Sequence, residues 1–228
     1  MKSKEISGKT LICGVIGDPI EHTMSPAMHN AAFQTLGLDY VYLPFHVKPA
    51  DLKQAVAGMK ALNIRGLNVT IPHKTAVIPL LDEVDEMAAH IGAVNTITNE
   101  NGKLVGYNTD APGFLEALTQ HDVEPTGKKV VVLGAGGAAR AIAFILAENQ
   151  AKLVILNRKE EIDWAYNIVK NIKEHYSITA RVDELNPANL ASSLSDADIL
   201  VNATSVGMYP DDGKSLVPEE LHCSSLTV

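Results

Sequence analysis

Residues 128–147, KKVVVLGAGGAARAIAFILA, constrain this chain more than any other stretch. Val130 to Leu133 form a continuous apolar run, the pattern of a parallel strand buried on both faces. A glycine turn follows at Gly134-Ala135-Gly136-Gly137, and then Ala139, Ala141, Ile142, Ile145 and Leu146 recur at helical spacing. Strand, glycine turn and helix in that order make the first unit of a dinucleotide-binding fold. Gly134 permits the tight turn, Gly136 lets backbone approach a pyrophosphate, and Ala139 takes the close-packing third position of G-x-G-x-x-G/A. The helix N-terminus then offers unpaired N–H groups to phosphate. A glycine-rich turn in an α/β core without a ligand is the alternative reading.

The rest of the second half alternates in the same way. Strands are expected at 130–133, 152–156, 178–182 and 199–202, with helices to 147, over 160–174 and near Leu190. This predicts a parallel, doubly wound sheet. A carboxylate about twenty residues past the glycines would hold the ribose 2′-hydroxyl of NAD. Here the second strand ends in Asn157-Arg158-Lys159, with two cations and no carboxylate. Cations suit a 2′-phosphate, with Arg158 able to fork onto it and stack on adenine, so NADP is favoured. A solvated start to the next helix would also explain them.

With 228 residues the chain is long enough for one large or two small domains with a real core. Its net charge of −8, without a basic run, argues against nucleic-acid or membrane-surface partners. Cys13 and Cys223 are too far apart in sequence for a CxxC pair, so neither a disulfide framework nor a metal site is expected. The polar N-terminus, MKSKEISGKT, lacks a signal core, and a cytoplasmic location is expected.

The first half reads as a mixed α/β domain. Strands are expected over 11–17, 40–47, 65–71 and 94–98, and Asn101-Gly102 marks a hairpin returning over 103–107. Helices are expected from Ser25 (N-cap, with Pro26 at N1) to Gly37, over 49–62, within 74–91, and from a Thr109 or Asp110 cap to about Gln120. The polar segment HDVEPTGKK places the crossing into the cofactor sheet just before Lys128.

Three polar clusters sit where strands end, the usual ligand position in open α/β folds. Thr23 and Ser25, in HTMSP, put two hydroxyls near a helix N-terminus, which suits a carboxylate as well as a cap. Asn68 and Thr70, in NVTIPHK, share one strand face by period two, and Pro72 turns the chain so that Lys74 folds back. Asn95, in GAVNT, stands with Asn108-Thr109-Asp110. Taken singly, Lys74 reads as solvated and Asp110 as a cap. Together the clusters supply hydroxyls and amides for a polyhydroxylated acid, and a Lys and an Asp for proton transfer coupled to hydride transfer.

With these clusters in view the whole chain resembles the shikimate dehydrogenase family, through HTMSP, NVTIPHK, GAVNT, GYNTD, GAGGAAR, the Asn157-Arg158 pair and NATSVGM. The resemblance implies an N-terminal mixed α/β substrate-binding catalytic domain over 1–110. An NADP-binding Rossmann domain with a parallel sheet would cover 111–228. It implies an oxidoreductase acting on CH–OH groups: NADPH-dependent, reversible reduction of 3-dehydroshikimate to shikimate in chorismate and aromatic amino acid biosynthesis. By that likeness Lys74 and Asp110 are the catalytic pair. Thr23 and Ser25 hold the substrate carboxylate, and Asn68, Thr70, Asn95 and Asp110 bind ring hydroxyls. Gly134, Ala135, Gly136, Gly137 and Ala138 carry the pyrophosphate, and Asn157, Arg158 and Lys159 meet the 2′-phosphate. The stretch from Asn202 to Met208, with Ala203, Thr204, Ser205 and Met208, lines the nicotinamide side. No metal is implied, and a monomer or homodimer is expected.

Four departures from the family pattern stand out. S-x-S is Thr23-x-Ser25, NRT is Asn157-Arg158-Lys159, and Ile162 stands where a further Arg is usual. The chain also stops at 224–228, as a strand begins, where family members usually continue, so a C-terminally truncated Rossmann domain is expected. The competing readings are a quinate/shikimate dehydrogenase of broader specificity and a truncated, non-catalytic fragment that binds NADP and shikimate.

Overall fold

A computed structural model describes residues 5–208, 212–218 and 221. The strand expected to begin at 224–228 lies outside the described residues. The chain divides into two compact units, Met1–Thr109 and Asp110–Val228.

The first unit is a six-stranded mixed sheet in the order β2-β1-β3-β5-β6-β4. β1 (Leu11–Gly17) pairs in parallel with β2 (Tyr40–His46) and with β3 (Gly66–Val69). β5 (Thr96–Glu100) runs antiparallel to β3 and makes the expected hairpin with β6 (Lys103–Tyr107) through Asn101-Gly102, both at positive φ. Ile16, Leu67, Val69, Ile97 and Leu104 form one buried face with Leu52, Val56 and Met59 of α2 (Leu52–Ala61). On the other face Val15, Ile20 and Tyr42 pack with Phe33 of α1 (Ser25–Thr35).

Several expected boundaries move, each for a local reason. Ser25 is not the cap of α1 but its first helical residue; Met24 holds the cap position without a side-chain bond. Thr23 Oγ1 instead accepts the Ser25 N–H at 3.3 Å. The helix expected over 49–62 is a 3-10 turn, Pro49–Asp51, followed by α2. The strand expected over 65–71 ends at Val69, and that over 94–98 starts only at Thr96. Val94 gives its N–H to the Lys74 carbonyl at 2.7 Å, away from the ladder.

Within 74–91 the chain makes a 3-10 turn (Ile78–Leu80), a two-residue strand β4 (Glu83–Val84) and a short helix α3 (Glu86–Ile91). β4 was not expected. Asp82 fixes it against β6, its carboxylate accepting the Leu104 N–H at 2.6 Å and its own N–H bonding Leu104 O at 3.0 Å. Asp85 then caps α3 by accepting the Met87 N–H, and Gly92 ends it at φ 70°.

The second unit is a four-stranded sheet in the order β10-β7-β8-β9, parallel throughout. Its elements alternate: α4 (Asp110–Gln120), β7 (Lys129–Leu133), α5 (Gly137–Glu148), β8 (Lys152–Asn157), α6 (Ile162–His175), β9 (Ala180–Glu184), α7 (Pro187–Leu194) and β10 (Ile199–Asn202). Along β7 the side chains serve opposite faces. Val130 and Val132 meet Ala139, Ala143 and Leu146 of α5 and Ile168 of α6, whereas Val131 and Leu133 meet Leu190 and Leu194 of α7. That is the doubly wound arrangement, and it explains an unbroken apolar run in place of alternation. Phe114, Leu118 and Val123 pack against the α5–α6 face. The polar segment before Lys128 therefore lies inside the second unit, and the expected crossing there moves back to the start of α4. β9 sits two residues later than expected, over Ala180–Glu184, because Leu153 pairs with Ala180. No helix among the described residues is long and apolar enough to cross a membrane.

Candidate active site

In the first unit the polar clusters join into one chain of hydrogen bonds. Tyr42 Oη donates to Asn68 Oδ1 at 2.6 Å, and Asn68 Nδ2 donates to Thr96 Oγ1 at 3.1 Å and to Asn95 O at 3.4 Å. Thr96 Oγ1 donates to Asn95 Oδ1 at 2.9 Å. Asn95 Oδ1 also accepts the Thr109 N–H, and its Nδ2 donates to Thr109 Oγ1, both at 2.9 Å. Ser25 joins at the other end, its side chain bonded to Tyr42. Amides joined in this way, Asn95 buried and Asn68 half-buried, have fixed orientations. Both N–H bonds of Asn68 are spent inside the network, so the side chain offers a ligand only the remaining lone pair of Oδ1, an acceptor for a ring hydroxyl.

Tyr42 anchors this chain. Its hydroxyl is pushed up to about 12, chiefly by burial, with the nearby Cys13 adding to the rise and the Ser25 bond opposing it. It is therefore a neutral donor at any physiological pH. His29 of α1 stacks on its ring, centroids 4.3 Å apart and planes within 10°. Asn30 clasps the Tyr42 backbone with two bonds of 2.9 Å, Oδ1 from its N–H and Nδ2 to its carbonyl. Helix α1, which carries Ser25, is thereby tied to β2.

Lys74 sits in the turn after β3. His73, 1 % exposed, donates Nε2–H to Val47 O at 2.6 Å. Its N–H bonds Thr70 O at 2.9 Å, its carbonyl accepts from Val77 N at 3.0 Å, and the Lys74 carbonyl accepts from Val94. The lysine is mounted on a pinned turn. Thr70 lies one residue past β3, its N–H on Ile16 O at 3.0 Å, and its methyl lies where any side chain at Gly17 would have to go. Asp110 opens α4 in the first turn, the favourable end of the helix for a carboxylate.

In the second unit β7 and β10 are adjacent although β8 and β9 intervene in sequence, so their C-terminal ends form the switch point where α/β sheets bind ligands. Gly134 turns there at φ 99°, and a Cβ on it would come within 2.9 Å of the Thr204 methyl. A Cβ on Gly136 would meet nothing within 4 Å. One glycine thus admits the neighbouring loop, and the other leaves open space at the N-terminus of α5. That helix has no side-chain cap and no acidic residue in its first turn, so the leading amides of Gly137 and Ala138 remain for an anion. The residues fit the pyrophosphate of a dinucleotide.

The loop after β10 is self-bonded. Asn202 Oδ1 accepts from Thr204 N at 3.0 Å and Oγ1 at 2.7 Å, and its Nδ2 donates to Val206 O at 3.0 Å. Ala203 N–H bonds Leu133 O at 2.9 Å, fixing this loop beside the glycine turn. Ser205 and Met208 are exposed on it. At the end of β8, Asn157 is buried and donates Nδ2–H to Glu161 O at 2.6 Å, so its amide closes the turn. Arg158 and Lys159 are exposed on that turn.

Comparison with known proteins supplies the rest. The family model described as the shikimate dehydrogenase substrate-binding domain matches residues 15–97, and that described as shikimate/quinate 5-dehydrogenase matches 117–209. The chain belongs to the shikimate dehydrogenase family. It is 49% identical over 224 residues to the shikimate dehydrogenase (NADP+) of Methanopyrus kandleri, covering 96% of this chain and 77% of that one. A solved shikimate dehydrogenase in complex with NADP+ superposes with a TM-score of 0.86 at 42% identity, covering 98% of this chain and 77% of the other. The shikimate 5-dehydrogenase of Listeria monocytogenes, solved with shikimate and NAD, gives 0.84 at 40% identity over 96% and 76%.

For a member of the shikimate dehydrogenase family, the candidate site residues left out Tyr42 and Glu161, and also Thr96 and His73, although these two lie within GAVNT and NVTIPHK. Tyr42 and His73 read as ordinary core residues. Only strand pairing reveals that Tyr42 reaches Asn68, 26 residues away.

Proposed function

We propose that this chain catalyses the NADPH-dependent, reversible reduction of 3-dehydroshikimate to shikimate, a step of aromatic amino acid biosynthesis. The observation that carries this is membership of the family across both halves of the chain. The hydrogen-bonded array from Ser25 to Thr109 supports it as a surface for a hydroxylated acid. We assign the carboxylate to Thr23 and Ser25, ring hydroxyls to Asn68, Thr70, Asn95 and Asp110, and proton transfer to Lys74 and Asp110. Lys74 holds the proton that the carbonyl oxygen takes up on reduction, and Asp110 accepts a hydrogen bond from a ring hydroxyl. The nicotinamide supplies the hydride when bound. Gly134, Ala135, Gly136, Gly137 and Ala138 receive the pyrophosphate. Arg158 and Lys159 receive the 2′-phosphate on the turn closed by Asn157, and Ala203, Thr204, Ser205 and Met208 border the nicotinamide.

The reaction is assigned to the cytoplasm, with the protein working as a monomer or homodimer. The test is a spectrophotometric assay pairing shikimate or quinate with NADP or NAD. Rapid NADP reduction by shikimate is expected. Lys74→Ala should lower kcat by about 10²–10⁴-fold, the range for a lost general acid–base, with NADP binding kept. Unchanged turnover in that variant would remove Lys74 from the chemistry. Faster turnover of quinate would favour the broader enzyme.

A further inference from the structure

The cation on the cofactor turn carries its own counter-ion. Arg158 donates Nε–H to Glu161 Oε2 at 2.8 Å and Nη2–H to Glu161 Oε1 at 2.6 Å, a fork-on-fork pair. The pair is asymmetric: the Glu161 side chain is 24% exposed and that of Arg158 67%. Glu161 is also held from behind, since Asn157 donates to its carbonyl at 2.6 Å. The carboxylate is thus built into the turn, and the guanidinium leans on it from outside. Of the five guanidinium N–H donors, the two on one edge face Glu161; the other three belong to the outer edge. Ile162, where the family pattern has a second Arg, packs its side chain against the sheet–helix core and has no charge to offer. The cations of the turn, Arg158 and Lys159, therefore stand against an equal number of carboxylates, Glu160 and Glu161.

We propose that Glu161 is a specificity-determining residue: it fixes the plane of Arg158 and, by its charge beside the 2′-phosphate position, holds down the preference for NADP over NAD. This rests on the reading that Arg158 meets the 2′-phosphate. Two effects of the carboxylate oppose each other, and the isosteric amide separates them. Glu161→Gln keeps an acceptor for Arg158 and the backbone bond to Asn157, but removes a negative charge from the neighbourhood of a phosphate carrying between one and two of its own. At an exposed site Coulomb repulsion over a few ångströms amounts to a several-fold change in affinity, screened by salt.

The experiment is calorimetric titration of the full chain with 2′,5′-ADP and with AMP, which differ by the 2′-phosphate alone. Glu161→Gln should bind 2′,5′-ADP about three- to tenfold tighter, with AMP unchanged and a steeper loss of affinity on adding salt. Arg158→Ala should lose most of the difference between the two ligands. Unchanged or weaker 2′,5′-ADP binding in Glu161→Gln, with that loss intact in Arg158→Ala, overturns the role of Glu161 alone. If Arg158→Ala still separates the two ligands, the placement of the 2′-phosphate at Arg158 fails, and the proposal fails with it.

Discussion

The two candidate binding regions are built on opposite plans. In the first unit recognition lies in side chains, a run of hydroxyls and amides from Ser25 through Tyr42, Asn68 and Thr96 to Asn95 and Thr109, in which most hydrogen-bonding capacity is already committed. In the second it lies in backbone and open space, with two glycines, an uncapped helix and an exposed ion pair. A small rigid acid with several hydroxyls needs donors and acceptors at fixed points, and a part-buried, mutually bonded network fixes them before the ligand arrives. A long dinucleotide needs room for its phosphates along one edge, and glycine provides that by having no side chain. Damage should accordingly be selective: changes in the network should fall on substrate, and changes in the glycine turn on cofactor.

Asn95→Ala is the sharpest attempt to break this contrast. It removes the partners of the half-buried Thr96 hydroxyl and of the Thr109 amide and hydroxyl, at a residue that is itself only 7% exposed, while the Asn68 bond to the Asn95 backbone carbonyl stays. Each buried polar group left unpaired costs about 1–3 kcal/mol. We expect kcat/KM for shikimate to fall by about 10²-fold or more, since every 1.4 kcal/mol is a factor of ten, while NADP affinity measured alone stays within about twofold. An equal loss of NADP affinity would show that the two regions are not independent. Gly134→Ala is the mirror test. At φ 99° with the Thr204 methyl 2.9 Å from the new Cβ, the turn must shift or strain. Strain of about 1–3 kcal/mol should lower thermal stability and weaken NADP by roughly tenfold, with the substrate network untouched.

The same contrast explains what could be read from the sequence. The β7–α5 unit was legible because strand, turn and helix are consecutive and each is fixed by local chemistry: an apolar run, a positive-φ glycine and a helical spacing of small residues. The end of β8 was legible for the same reason, down to the Asn157-Arg158 pair. The substrate network was legible only as separate polar clusters, because its joints are long-range. Tyr42 looks like any alternating strand aromatic until β1 sets β2 and β3 side by side. β4 escaped notice because two residues carry no periodicity, and what holds it is the Asp82 carboxylate on the Leu104 amide. Ser-Pro at a helix start usually marks Ser as the cap, but here Thr23 takes the Ser25 amide and the hydroxyl turns to Tyr42 instead.

Tyr42→Phe gives the smallest effect and sharpens the contrast most finely, because it removes one oxygen and leaves the ring stacked on His29. The lost donor frees the Asn68 carbonyl to rotate and leaves Ser25 without its partner. A net hydrogen bond is worth about 0.5–1.5 kcal/mol, so KM for shikimate should rise by about two- to tenfold with kcat little changed. The folded-state value of about 12 lies above the ordinary 10 of a tyrosine, so the folded chain holds this proton more tightly than the unfolded chain. The stabilisation is complete below pH 10 and is lost as pH rises toward 12. Urea midpoints measured across that window should fall with pH in the parent chain and fall less steeply in Tyr42→Phe. Parallel slopes would mean that the Tyr42 hydroxyl exchanges with solvent, and the substrate region would then be less pre-set than its hydrogen bonds imply.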